Sequence, residues 1–225
     1  MFNFENYQKI KTNIDHLSKE TEIIAISKNH SLEVVENAIF CGLKVFGENR
    51  VQEATSKFVD IKRRDTKIKL HLTGPLQSNK VKQALNLFDV FHTLDREKLL
   101  RELIKYPEKI KDKSFFIQIN TGKESTKSGL FPKDVKNFLD LCKTLGLKNI
   151  DGLMCIPPIN ESPSRHFQII EDLTQKLGLG RPSIGMSSDY LDALDFNPKY
   201  VRLGTILFGK RQYRQWGNFI FTQKD

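Results

Sequence analysis

Eight times along this chain a short apolar run gives way to a polar or glycine-containing break. The runs are 22–27, 43–46, 68–72, 90–92, 115–119, 150–154, 183–186 and 200–203. Ile23-Ile24-Ala25-Ile26 and Phe115-Phe116-Ile117 show no in–out alternation. Such runs read as strands covered on both faces, as in a parallel sheet. Between them the apolar period changes to three or four. Tyr7, Ile10, Ile14 and Leu17 place a stripe on a helix over 5–20. Ser31 reads as an N-cap, with Val34, Val35, Ala38 and Ile39 facing the core and Gly42 closing the helix. Val51, Ala54 and Phe58 mark a third helix, and further helices fall at 77–87, after Asp95 as a cap, from Pro132 to Cys142, over 161–177 and around Leu191. The last strand leads into Gly204-Thr205-Ile206.

Eight strand–helix units within about two hundred residues predict a (β/α)8 (TIM) barrel, here one domain over 1–225. A doubly wound sheet is the alternative, but no glycine-rich nucleotide fingerprint is present. The 225 residues, 39% hydrophobic and 28% charged, suit one ordinary globular core. No apolar run approaches the roughly 20 residues of a membrane span, and the N-terminus lacks a signal-type pattern, so a cytoplasmic protein is expected. Cys41, Cys142 and Cys155 are scattered, which predicts reduced thiols, and the five histidines show no metal-ligand spacing. The net charge of +9 raises a nucleic-acid partner. The basic residues are nevertheless dispersed among acidic ones, and the densest run, Lys62-Arg63-Arg64, stops at Asp65. A solvated lysine-rich surface is the expectation; steep salt dependence of binding would mark the alternative.

Barrels carry their chemistry at the C-terminal ends of their strands. Lys28 stands at the end of the first strand. It either leaves the sheet for water or offers a desolvated amine suited to imine formation. Ser187 follows the seventh strand, and Gly204 and Thr205 follow the eighth, where barrels often hold phosphate. Arg202 lies two residues earlier. The eighth strand neighbours the first on closure, so amine, cation and phosphate cup share a rim. Pyridoxal 5'-phosphate, held by an imine to Lys28 and meeting Arg202 at its ring nitrogen, would span them.

The chain resembles the pyridoxal phosphate homeostasis protein (YggS/PROSC) family. The matching segments include Ala25-Ile26-Ser27-Lys28, Phe46-Gly47-Glu48-Asn49-Arg50-Val51-Gln52-Glu53 and His71-Leu72-Thr73-Gly74-Pro75. They continue through Gly152-Leu153-Met154-Cys155, Gly185-Met186-Ser187-Ser188-Asp189 and Arg202-Leu203-Gly204-Thr205. The resemblance implies a barrel like the N-terminal domain of alanine racemase. It implies an internal aldimine on Lys28, phosphate on Ser187, Gly204 and Thr205, and Arg202 at the ring nitrogen. It places Asn49 and Met154 near the ring, with His71 as a weaker candidate.

It further implies a protein that serves vitamin B6 homeostasis and amino-acid balance and supplies client enzymes, with no catalytic residue assigned; a solvent-open barrel mouth that must release its ligand suits a monomer. A weak amino-acid racemase is the enzymatic alternative. An arginine at the ring nitrogen opposes its protonation and weakens the electron sink. Racemization also needs a second acid/base group, which alanine racemases draw from a further C-terminal domain that this chain is expected to lack. Tyr190, Tyr200 and Tyr213 are tyrosines that nothing in the sequence assigns to that role.

Overall fold

The predicted strands pair in sequence order and close on themselves. A computed structural model describes residues 2–17, 20–124 and 126–209, and there the sheet is a closed, all-parallel barrel in the order one to eight. The elements are α1 (Phe4–Leu17), β1 (Glu22–Ile26), α2 (Leu32–Phe40), β2 (Val45–Glu48), α3 (Val51–Arg64), β3 (Lys69–Leu72) and α4 (Val81–Leu87). Then follow β4 (Val90–Leu94), α5 (Glu97–Leu103), α6 (Pro107–Ile110), β5 (Ser114–Ile119), α7 (Val135–Thr144) and β6 (Ile150–Cys155). The last are α8 (Pro163–Leu177), β7 (Ser183–Met186), α9 (Tyr190–Leu194), β8 (Tyr200–Leu203) and α10 (Thr205–Phe208). β8 closes on β1, with Glu22, Ile23, Ile24 and Ala25 opposite Tyr200, Val201, Arg202 and Leu203.

The two-sided burial of the strands has a direct cause. Their outward residues, such as Ala25, Phe46, Leu70, Phe115 and Val201, pack under the helices. Their inward residues fill the lumen, where Ile24, Val45, Val90, Phe116, Met154 and Tyr200 form a separate apolar cluster. The lumen is a packed layer rather than a pore, as barrel interiors are. No helix among the described residues is long and apolar enough to cross a membrane. The three cysteines are unbridged, and burial pushes the Cys142 and Cys155 thiols up to about 12. Lys62, Arg63 and Arg64 are paired within the chain, with Asp89, Asp60 and Glu36.

Several boundaries differ from the sequence-based expectation. The second strand begins at Val45, not Leu43. The Gly42 amide bonds to the Ile39 carbonyl and the Leu43 amide to Ala38, so Leu43 completes the C-terminal cap of α2. Asp95 does not cap α5. Arg96 holds the cap position, and the Asp95 carboxylate binds the Arg96 guanidinium at 2.5 Å. The helices expected from residue 77 and from Pro132 each start with a 3-10 turn, Ser78–Lys80 and Pro132–Asp134. The helix expected from 161 starts at Pro163, and α6 was not anticipated. Residues 18 and 19 of the expected first helix, Tyr213 and the segment 216–225 lie outside the described residues.

Phe58 on α3 is fully buried, its ring 5.5 Å from that of Phe46 on β2. Phe58→Ala is expected to cost about 3–5 kcal/mol, read as a lower urea midpoint with an unchanged slope.

Candidate functional site

A cavity of about 440 Å³ opens at the C-terminal rim, a size that suits a small cofactor. Its lining brings together Lys28, Asn49, Ser187, Arg202, Gly204 and Thr205, six of the seven expected site residues. The seventh, Met154, is fully buried in the apolar lumen cluster and does not line the cavity. His71 is likewise buried in the lumen, away from the lining. Tyr190 and Tyr200 are also absent from the lining.

The turn that carries Lys28 is fixed from below. Strand β1 stops at Ile26, and Asn29 takes a left-handed conformation, φ 62°. The Ser27 hydroxyl donates to Glu48 Oε1 at 2.7 Å, and the Asn29 amide donates to Glu53 Oε1 at 2.5 Å. Lys57 reaches up from α3 and donates to the Ser27 carbonyl at 2.9 Å and the His30 carbonyl at 3.3 Å. The same ammonium is paired with Glu48 at 2.6 Å and Glu53 at 2.9 Å. Backbone on both sides of Lys28 is therefore tied to one buried ionic hub. Burial pushes the Glu48 carboxyl above the usual carboxylate range, with the Lys57 charge pulling against it. Its Oε2 has no hydrogen-bond partner among the described residues.

Across the mouth, the Gly204 amide donates to Ser187 Oγ at 3.1 Å, joining the loops after β7 and β8. A Cβ on Gly204 would come no closer than 3.5 Å to the protein, an ordinary contact with Ile26. Internal packing thus does not demand glycine there. Gly74 is the opposite case, because a Cβ would lie 2.5 Å from the Asn49 carbonyl oxygen. Its absence lets the β3 loop press on Asn49, whose Oδ1 accepts from the Thr73 hydroxyl at 3.0 Å. That leaves the amide nitrogen as the free end of the Asn49 side chain.

Arg202 is 5% exposed, and the structure gives it neutral partners. One guanidinium nitrogen donates to the Ser183 carbonyl at 2.7 Å and to Ser183 Oγ at 2.8 Å, and the other to the Cys155 carbonyl at 2.8 Å. Among the described residues no carboxylate forms an ion pair with it. Burial lowers its pKa, opposed by Cys155 and, less strongly, by Asp189. A buried cation at a cavity wall, held only by neutral acceptors, suits a ligand that brings an acceptor or negative charge.

The model of the alanine racemase N-terminal domain matches residues 4–212. The pyridoxal phosphate homeostasis protein of Aquifex aeolicus is 37% identical over 206 residues, covering 85% of this chain and 88% of that protein. The chain belongs to the pyridoxal phosphate homeostasis protein family. That of Vibrio alginolyticus is 33% identical and covers 91% and 98%. Among solved structures, PipY of Synechococcus elongatus with PLP bound superposes with a TM-score of 0.79. It is 29% identical and covers 92% of this chain and 99% of that one. Alanine racemase from Acinetobacter baumannii, 15% identical with a TM-score of 0.70, covers 92% of this chain and 62% of its own and shares the fold.

The hub was invisible to sequence reasoning. Glu48 and Glu53 stood inside a matched segment, but nothing marked Lys57 as the buried lysine that joins them. Lys57→Met strands the Glu48 carboxylate and is expected to cost about 3–5 kcal/mol at neutral pH. The carboxyl already titrates above its unfolded value of 4.5, so its proton stabilises the fold at low pH and is lost as pH rises through the folded value. Without Lys57 that folded value climbs further. The variant's urea midpoint should therefore fall between acid and neutral pH by more than the wild type's.

Proposed function

We propose that this protein binds pyridoxal 5'-phosphate as an imine on Lys28 and serves as a carrier in intracellular vitamin B6 homeostasis and amino-acid balance. The observation that carries this reading is the rim itself. An amine, a buried guanidinium without a carboxylate, and two loops tied through Ser187 and Gly204 face one cavity. Lys28 Nζ would add to the aldehyde carbon, the C=N bond would form and the aldehyde oxygen would leave as water. No oxidant or reductant is needed. The Ser187 and Thr205 hydroxyls and the unhindered backbone at Gly204 would take the phosphate, and the Asn49 amide would lie beside the ring. Met154 would act from beneath, as a wall of the lumen. The bound group supplies an electron-accepting ring, and Arg202, a donor that holds its protons, would keep the ring nitrogen unprotonated.

Among the described residues that line this wall, Lys28 is the one side chain of proton-transfer type. Among the described lining residues there is no tyrosine, histidine, cysteine or carboxylate. That composition favours holding and releasing the cofactor over turnover, which needs a second acid/base group. A monomeric, single-domain, cytoplasmic protein that passes its cofactor to client enzymes fits this reading. Weak racemization of amino acids is the competing one, favoured by the shared alanine racemase fold.

The purified protein with added pyridoxal phosphate should show a band near about 420 nm, as protonated imines do. Borohydride should fix the label on Lys28, and Lys28→Ala should abolish both. No band in the wild type would defeat the reading. Thr205→Ala should keep the band but weaken cofactor retention about tenfold, through loss of a charge-assisted hydrogen bond. Turnover of D- or L-alanine by the loaded wild type would instead reinstate the racemase.

A further inference from the structure

Behind Arg202 the hydrogen bonds continue away from the cavity. Ser183 Oγ lies 3.0 Å from His92 Nδ1, and His92 Nε2 lies 2.9 Å from His71 Nδ1. The four residues stand on β8, β7, β4 and β3. β7 and β4 are not neighbours in the sheet, so the chain crosses the lumen. All four are buried, with Ser183 and His92 at 0% exposure. The two imidazoles stack on each other at 5.2 Å, His92 lies flat on Phe116 at 4.9 Å, and the Tyr200 ring meets His71 edge-on at 4.9 Å. None of this is needed to hold a phosphate or to form an imine.

The protons in this chain have one consistent order. A guanidinium only donates, so Ser183 Oγ accepts from Arg202. The buried Ser183 hydroxyl then needs an acceptor, and His92 Nδ1 is the one it faces. His92 must carry its proton on Nε2 and donate it to His71 Nδ1, which leaves the His71 proton on Nε2. The reverse order would strand the serine hydroxyl proton in the lumen, at the cost of an unsatisfied buried donor. Burial holds His71 down to about 3 and His92 well below its ordinary value. The charged groups acting on the pair are Asp89, Lys62, Lys69, Lys199 and Arg202. Of these only Asp89 favours a charged ring.

We propose that Ser183, His92 and His71 form one directional hydrogen-bond chain that fixes the plane of the Arg202 guanidinium, making them positioning residues for the cofactor ring. The proposal rests on the reading that Arg202 meets that ring. Fixed neutral imidazoles let the guanidinium keep its charge for the ligand, where a carboxylate in their place would neutralise it. The serine serves as the joint, accepting from Arg202 and donating to His92.

Two measurements test this. In the ligand-free wild type, nitrogen–proton correlation spectra of the imidazoles should show His92 and His71 neutral, both protonated on Nε2, and unchanged between about pH 5 and 8. A proton on His92 Nδ1, or titration of either ring in that range, overturns the chain whatever the protein binds. With cofactor, Ser183→Ala should release pyridoxal phosphate about tenfold faster and shift the imine band. Ser183→Thr, which keeps the hydroxyl, should restore both. Inorganic phosphate should compete for binding equally well in wild type and Ser183→Ala, because the Ser187–Gly204–Thr205 cup is untouched. Unchanged release and band position in Ser183→Ala overturn the positioning role. A wild type that binds no cofactor defeats the functional reading instead, and the imidazole spectra still decide the chain.

Discussion

Everything at the rim depends on the pairing of β8 with β1. That seam joins residues nearly two hundred positions apart in sequence, setting Ile24 beside Arg202 and Ala25 beside Leu203. Loop closure over such a distance is costly in entropy, and no single contact repays it. The repayment comes from a complete ring: each strand buries an outer face under helices and an inner face in the lumen. An open sheet would expose two edges and leave Ile24, Phe116 and Tyr200 without the opposite wall they pack on. Only after closure do Lys28, Arg202 and Gly204 face one cavity.

The site then divides into two halves with different physics. On the β1–β2 side, rigidity comes from charge: one buried ammonium, one buried carboxylate and one half-buried carboxylate pin the turn that carries Lys28. On the β7–β8 side, it comes from neutral hydrogen bonds: carbonyls and hydroxyls hold a guanidinium and link two loops. The charged half is closed on itself, which suits a support. Among the described residues the neutral half offers its positive charge no carboxylate, which suits a binding surface. Relatives named for pyridoxal phosphate homeostasis place this chain in their family, and the similar PipY structure carries PLP.

Strand order and five of the cavity residues were legible from the sequence because both follow from local rules: apolar runs make strands, and rim chemistry follows strand ends; the sixth, Asn49, came only from the family resemblance. What was not legible required partners distant in sequence. Leu43 looked like a strand residue because it is apolar and followed by Val45, yet its amide serves the cap of α2. Asp95 looked like a cap, yet its carboxylate was already committed to Arg96. Met154 sits near the end of its strand and still points into the lumen cluster, since residues alternate between faces and one position decides which. His92 carried no signal, because 21 positions separate it from His71 and only the sheet register brings the rings together.

The Arg202 guanidinium, which has no carboxylate partner among the described residues, also bears on the lifetime of the protein. A buried charge held by neutral acceptors carries a desolvation cost that an anionic ligand would offset. Any molecule that satisfies Arg202 lowers the free energy of the folded state alone, in proportion to the logarithm of its concentration. Partly opened chains are the ones that cellular proteases remove, so a ligand that stabilises the folded state would slow degradation. The lifetime of the folded chain would then follow the concentration of whatever molecule satisfies Arg202.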